Sequence, residues 1–391
     1  MKFNSNSYTF SDSGKFQNYS IIIGIIFLAL SSIGYFIDSS QLFYSYLVSF
    51  GFWVSISLGA LFFTMLHHLT GSTWSIVFRR FTESLAKTMP YLLILSIPII
   101  TIGVHDLYHW SHADLDTLLQ RKVGYLNQPF FIIRTILYFA IWSFYASKLH
   151  KLSIEQDSSN IDLRPKMLKF SASGMILFAL TLSFASFDWF MSTDAHWYST
   201  MFGVYYFSAS YLAIIVFLIL VTFILQKYDV LNTSITTEHY HDLGKLLFGF
   251  TVFWGYIAGS QYFFIWYANI PEETIWYIHR WEGNWKFMSQ LLIVGHFIIP
   301  FLILVFRASK RNMKILIPMA ALVTIMLYVD IYWLVMPAHS HHGFHLSWLD
   351  LTTLIGIGGI VLGMFWKIFT QHAIIPLNDP NLEESLKFKN T

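Results

Sequence analysis

The sequence predicts an all-α integral membrane protein of ten transmembrane helices, and three features carry that expectation. Of its 391 residues, 55% are hydrophobic and only 12% charged, about half the charge with which a soluble chain coats its surface. The apolar residues gather in ten stretches, and a bilayer-crossing helix needs about 20 such residues. Lys and Arg alternate between the intervening loops as the positive-inside rule requires. Strand-like alternation is absent, which argues against a barrel.

Taken in order, span 1 (Tyr19–Ile37) lacks a small-residue cleavage site and reads as a retained helix. Span 2 (Gln41–Leu66) runs into His67-His68. Span 3 (Met89–Val104) is short unless it continues through His105, and Pro98 interrupts it. Span 4 (Pro129–Ser147) carries Arg134, and spans 5 and 6 are Phe170–Phe187 and Ser199–Leu225. Span 7 is Leu246–Ile270. Span 8 (Phe287–Phe306) contains His296 and Pro300, span 9 (Ile315–Met336) contains Pro318 and Asp330, and span 10 is Trp348–Trp366. The organisation is therefore an amino-terminal tail, 1–18, a membrane domain, 19–370, and a carboxy-terminal tail, 371–391.

With the amino terminus placed in the cytoplasm, 19 of the 24 Lys and Arg residues fall on that side, among them Arg79, Arg80, Lys87, Arg307 and Lys310. Only Arg121, Lys122, Arg280 and Lys286 lie outside, with Arg134 inside span 4. An even number of spans puts both termini in the cytoplasm.

Composition also excludes functions. Without cysteine there is no disulfide, thiolate zinc site, cysteine-ligated iron–sulfur cluster or catalytic thiol. A net charge of +2 gives no reason to expect a nucleic-acid partner. No loop is long enough to hold a soluble catalytic module. A bis-histidine haem needs two histidines at matched depth on different spans, and only His296 lies deep.

The outer loops gather nine of the sixteen histidines, including His105, His109, His112, His196 and the run His339–His345 with His341 and His342. Asp106, Asp188 and Asp194 join them. His105-Asp106-Leu107-Tyr108-His109 is superficially close to a zinc-hydrolase H-E-x-x-H helix. Its Asp and its place at a membrane boundary favour a polar helix end or cavity lining. The His339–His345 run reads better as a solvated loop or subunit contact than as a metal site. Inside the spans, His296, Asp330 and Arg134 are the sharpest signals, because a charge at mid-bilayer costs about 2.5–3.5 kcal/mol on insertion scales. An Arg134–Asp330 bridge that merely fixes two helices competes with a proton relay or quinol-head-group site near the outer surface, for which His105, Asp106, His109, Asp188, Asp194 and His196 are further candidates. On the opposite side His67, His68, Glu83, His241, Asp242 and Lys245 are candidates for proton entry.

Several segments carry a resemblance. They are Gly103-Val104-His105-Asp106-Leu107-Tyr108-His109-Trp110, Ser186-Phe187-Asp188-Trp189-Phe190-Met191-Ser192, His196-Trp197-Tyr198-Ser199-Thr200, His241-Asp242-Leu243-Gly244-Lys245, Gln261-Tyr262 through Asn269-Ile270-Pro271-Glu272-Glu273, and the tail Pro376-Leu377-Asn378-Asp379-Pro380. With ten spans they resemble the NrfD/polysulfide-reductase membrane subunits. Within these they resemble the F-subunit family of alternative complex III, the bacterial quinol:cytochrome c oxidoreductase. The resemblance implies two four-helix bundles, spans 2–5 and 6–9, with flanking helices, in the bacterial inner membrane. It implies a subunit with no haem or cluster of its own that anchors the complex and contributes a proton pathway. Its implied partners are a homologous quinol-binding subunit, an iron–sulfur subunit and c-type haem subunits, with quinol or menaquinol as the small molecule. The residues alone leave two alternatives, a proton-coupled secondary transporter and a purely structural anchor.

Overall fold

The computed structural model describes residues 3–5, 7–11, 13–114, 116–159, 161–341 and 343–390. Lys2 and His342 lie outside the described residues. Among the described residues the chain is mostly helical (77%). Among the described residues its one sheet is a hairpin of β1 (Phe3–Asn4) and β2 (Thr9–Phe10), which the sequence did not announce.

The long helices begin with α1 (Gly14–Ile33), α2 (Ser39–Thr70), the short α3 (Arg79–Ala86) and α4 (Met89–Ile100). They continue with α5 (Gln128–Ser158), α6 (Arg164–Trp189), α7 (Phe202–Gln226) and α8 (Thr237–Ala268). The last are α9 (Trp285–Leu304), α10 (Met313–Val335) and α11 (Trp348–Phe369). Among the described residues nine helical segments, α3 and α4 counting as one, are long and apolar enough to cross a membrane, which makes this a multi-pass membrane protein by length and composition. The 32-residue α8 falls outside that set. Glu238, Asp242 and Lys245 precede its apolar stretch, and Trp254, Tyr256, Gln261 and Tyr262 dilute it.

Helices overrun the apolar stretches because polar caps, not the hydrocarbon edge, end them. Asp38 accepts the Gln41 N–H at 2.9 Å to start α2, and Gly71, at φ +60°, ends it four residues beyond Leu66. Asn127 caps α5 by accepting from Phe130 N, and Ser347 with Asp350 forms a capping box on α11.

The three prolines act differently. Pro98 and Pro318 stay within α4 and α10. Pro300 follows a π-helical segment, Leu292–Ile298, in α9. Proline has no N–H for the carbonyl of residue i−4 and its ring crowds that carbonyl. Here residue i−4 is His296, so the widened turn that accommodates Pro300 is the turn that carries His296.

Helix α2 is central, packed against α3, α6, α7, α10 and α11. It approaches α7 so closely at Gly59 that a Cβ there would sit 2.0 Å from Ser210 O. Helix α1 is peripheral. It meets α11 through Gly24 and Gly359, where a Cβ on Gly359 would stand 2.7 Å from Gly24 Cα.

Candidate functional site

Two intramembrane groups named from sequence come together through a third residue. Asp330 on α10 is fully buried, and its carboxylate accepts the Tyr205 hydroxyl from α7 and the Trp254 indole N–H from α8, the latter at 3.0 Å. The other face of Trp254 stacks on His296, ring centroids 3.9 Å apart. Neither His296 ring nitrogen has a hydrogen-bond partner among the described residues, although the side chain is fully buried. Four helices thus deliver one acid, one imidazole and two aromatic donors to a single node.

The node borders a cavity of about 310 Å³, at the lower end of the range for small-molecule sites. Its walls include Tyr205, Trp254, Gln261, Trp276, Tyr277 and Trp333. Gln261 donates to the Tyr277 hydroxyl at 3.2 Å and accepts from Ser199 at 3.3 Å, which makes a polar patch in an otherwise aromatic wall. Behind Trp276 lies Arg280, 3% exposed, its guanidinium 3.3 Å from the Trp276 ring centroid and 5.1 Å from that of Trp333. It donates to three backbone carbonyls, those of Trp276, Trp333 and Leu334. Burial lowers its pKa to about 9, opposed by the nearby Asp194 carboxylate, so it remains charged at neutral pH. Sequence reasoning used Arg280 only to set orientation; its neighbours Trp276 and Trp281 were the available sign of an enclosed cation.

Arg134 does not pair with Asp330. It forms a bidentate bridge to Asp188, at 2.8 and 2.9 Å, completed by the Tyr138 hydroxyl at 2.7 Å on Asp188 and by Arg134 donation to Tyr125 O. The guanidinium lies against the rings of both Tyr125 and Phe130, 3.8 and 4.3 Å from their centroids. The two acids differ in what reaches them: α5 and α6 lie side by side, whereas α10 meets α7 and α8.

The outer histidines form a surface chain. Ring centroids separate His105 and His112 by 6.0 Å, His112 and His109 by 5.6 Å, and His109 and His196 by 6.3 Å. His196 Nε2 meets Asp116 at 2.5 Å, and that contact with the Leu119 N–H, the larger effect, holds the Asp116 carboxyl below its ordinary pKa. His105 and His109 do not share one helix as the H-x-x-x-H spacing suggested. The helix Val104–Leu107 stops at Tyr108, whose extended backbone (φ −125°, ψ 108°) turns the chain before His109. Asp106 instead accepts from Ser39 at 2.9 Å, beside the start of α2. Among the described residues no group of three or more His, Asp or Glu could hold a metal ion.

The entry candidates divide into two groups. In one, the His67 ring packs at a tilt on Phe63 (centroids 4.0 Å apart) and edge-on to Trp74, and neither of its nitrogens nor His68 Nε2 has a hydrogen-bond partner among the described residues. Glu83 is also there, its two oxygens unbonded and Arg80 Nη1 3.7 Å away. Arg80, which the sequence used only to set orientation, is shared with Asp157 at 2.6 Å, a residue that sequence reasoning passed over. In the other, Asp242 binds Lys245 and accepts from Asn390 at 2.7 Å, while Arg311 clamps Glu238 next to His241. The carboxy-terminal tail ties them together, since Asp379 pairs with Arg79 at 2.5 Å and the Ser385 carbonyl accepts from His239 Nε2 at 3.0 Å.

No known protein-family profile matches the chain, and no curated protein is similar to it in sequence.

Proposed function

We propose that the chain is a membrane subunit of a quinol:cytochrome c oxidoreductase of the alternative complex III type, in the bacterial inner membrane with both termini cytoplasmic. In this reading α8 is span 7 and completes a set of ten, and spans 2–5 and 6–9 form two bundles. The subunit anchors a homologous quinol-binding subunit, an iron–sulfur subunit and c-type haem subunits, and carries protons. One observation supports this above the rest: a wholly buried acid, Asp330, held by two aromatic donors, beside an unpartnered His296, at the wall of an aromatic cavity. A buried acid without a cation partner is costly in hydrocarbon, which marks it as a functional candidate by default.

Quinol oxidation releases protons with its electrons. A planar head group in the Trp254–Trp276–Tyr277 cavity would have the Gln261–Tyr277 pair for its hydroxyls and the Asp330–His296 node within one aromatic layer. Each proton moved against the membrane potential is worth about 2.3 kcal/mol per 100 mV, so a relay from Glu83 and the His67–His68 turn would make the subunit energy-conserving.

The test is Asp330→Asn and His296→Leu in the assembled complex. The expected result is intact assembly with a lowered proton-to-electron ratio. Unchanged turnover and an unchanged ratio in both variants would remove the node from the mechanism. Gentle purification addresses the competing classes: co-isolation with haem and iron–sulfur subunits supports this reading, whereas a lone oligomer that takes up solute supports a transporter.

A further inference from the structure

A second cavity, of about 1120 Å³, lies away from the Asp330 node, between α2, α7, α10 and α11. We infer that it is a binding groove for one two-chained phospholipid with a primary-amine head group, seated in the leaflet next to the amino terminus.

The depth of the groove is almost entirely hydrocarbon, formed by residues such as Ile56, Val216, Leu220, Leu327, Leu362 and Phe365. The few polar side chains there have already committed their donor hydrogens. Trp53 gives its N–H to Leu354 O at 3.0 Å, Tyr328 its hydroxyl to Asp350 O at 3.2 Å, and Thr324 its hydroxyl to Ala320 O at 2.8 Å. Trp366 gives its N–H to Ser13 O at 3.1 Å. Water gains a place in a cavity through two to four polar partners, which these walls do not supply. The occupant has to be apolar.

Length and volume then choose among apolar occupants. The groove follows α7 from Ala213 to Ile224, a rise of about 17 Å at 1.5 Å per residue. That is close to one leaflet, half of a hydrocarbon core of about 30 Å. A membrane-crossing helix about 30 Å long and 10 Å across fills about 2400 Å³, twice what is present. Exposed Ile224 and Ile325 leave the groove open sideways, as entry from the bilayer requires.

The mouth supplies the head-group chemistry. Phe3, Phe10 and Phe16 roof one side, and Tyr228 and Asp229 edge the other. Lys227, Tyr228 and Asp229 are exposed in sequence. Asp229 is held at φ +59°, with its carboxylate accepting from Asn232 at 2.9 Å. A carboxylate at the mouth matches the ammonium of an amine-headed phospholipid at the level where its acyl chains enter the groove.

The test is native mass spectrometry and lipid extraction of the complex purified in mild detergent. Wild type is expected to retain one amine-headed phospholipid per copy of this chain. Val216→Trp with Leu220→Trp, which fills the groove, should reduce retention at least about tenfold, because each buried methylene contributes to lipid affinity. Asp229→Lys should shift the retained lipid away from amine head groups while leaving assembly intact. Because the chain has no cysteine, Thr324→Cys carries a single fluorophore even if the double variant fails to fold. Phospholipid brominated in its chains should go on quenching this label after dilution into detergent and lose its effect on a label at the lipid-exposed Ile136→Cys. Equal retention in the filled variant, equal loss of quenching at both labels, or recovery of a prenylated quinone in place of phospholipid would overturn the assignment.

Discussion

At the scale of single residues, Arg134 and Asp188 form a buried ion pair with further hydrogen bonds to both members. The bridge is bidentate, the Tyr138 hydroxyl adds a third bond to the acid, and side-chain exposure is 7% for the arginine and none for the acid. Removing one member of such a pair leaves a buried charge alone, at a cost of about 3–5 kcal/mol. Arg134→Gln is therefore expected to lower the thermal stability of the detergent-solubilised protein by that order, and Asp188→Asn in the same background should restore part of the loss. A double variant as unstable as the sum of the single ones would show that the two groups do not act on each other. Asp330 contrasts with this pair because its partners are neutral. Trp254→Phe keeps the stacking surface for His296 and removes only the indole donor. It should leave assembly intact, with a stability loss of about 1–3 kcal/mol for the carboxylate oxygen left unbonded. A wild-type unfolding profile in this variant would remove that hydrogen bond from the account.

Among elements, α8 connects the node to the opposite surface. Its first turn is fastened by Glu238 and Arg311, the latter in the short helix Arg307–Arg311, and its far end closes at Asn269 with φ +50°. The Arg311 hydrogen bond holds the Glu238 carboxyl below its ordinary value of 4.5. A carboxyl lowered on folding contributes stability above its unfolded pKa and loses that contribution as pH falls through its folded pKa. Acidification through and below 4.5 should then destabilise the wild type more than Glu238→Gln, which lacks the tether at every pH. Parallel melting curves against pH for the two proteins would contradict this. The apolar stretches located the helices because removal from water is what the hydrocarbon core selects. The ends of α2 and α5 were less legible, since Asp38, Gly71 and Asn127 end them by local hydrogen bonding and backbone conformation. The π-helical turn at His296 accommodates Pro300, and a proline in a sequence does not by itself distinguish this accommodation from a kink.

For the whole molecule, the candidate site was legible residue by residue and not as pairs. His296 and Asp330 stood out because each is costly at its depth, but no sequence distance relates them to Trp254 or Tyr205, which join them only through the packing of α7, α8, α9 and α10. The same gap explains why Arg134 was set against Asp330 when Asp188 lay on the adjacent helix. Helix α1 gives the sharpest global test. Only 17% of its apolar window is buried, and it meets the rest of the spans along one seam with α11. At that seam a Cβ on Gly359 would stand 2.6 Å from Ser20 O and 2.7 Å from Gly24 N. Both neighbours are backbone, so a side chain cannot be absorbed by a rotamer change and the helices must part. Without a hydrophobic force between helices in lipid, such contact is the main source of their association. Gly359→Leu is therefore expected to release α1 while the helices packed on α2 keep their arrangement. Limited proteolysis between Ile33 and Ser39 should accelerate several-fold, and the Arg134 and Asp330 variants should behave as they do in the wild-type background. Unchanged cleavage there would show that α1 is held by contacts other than this glycine seam.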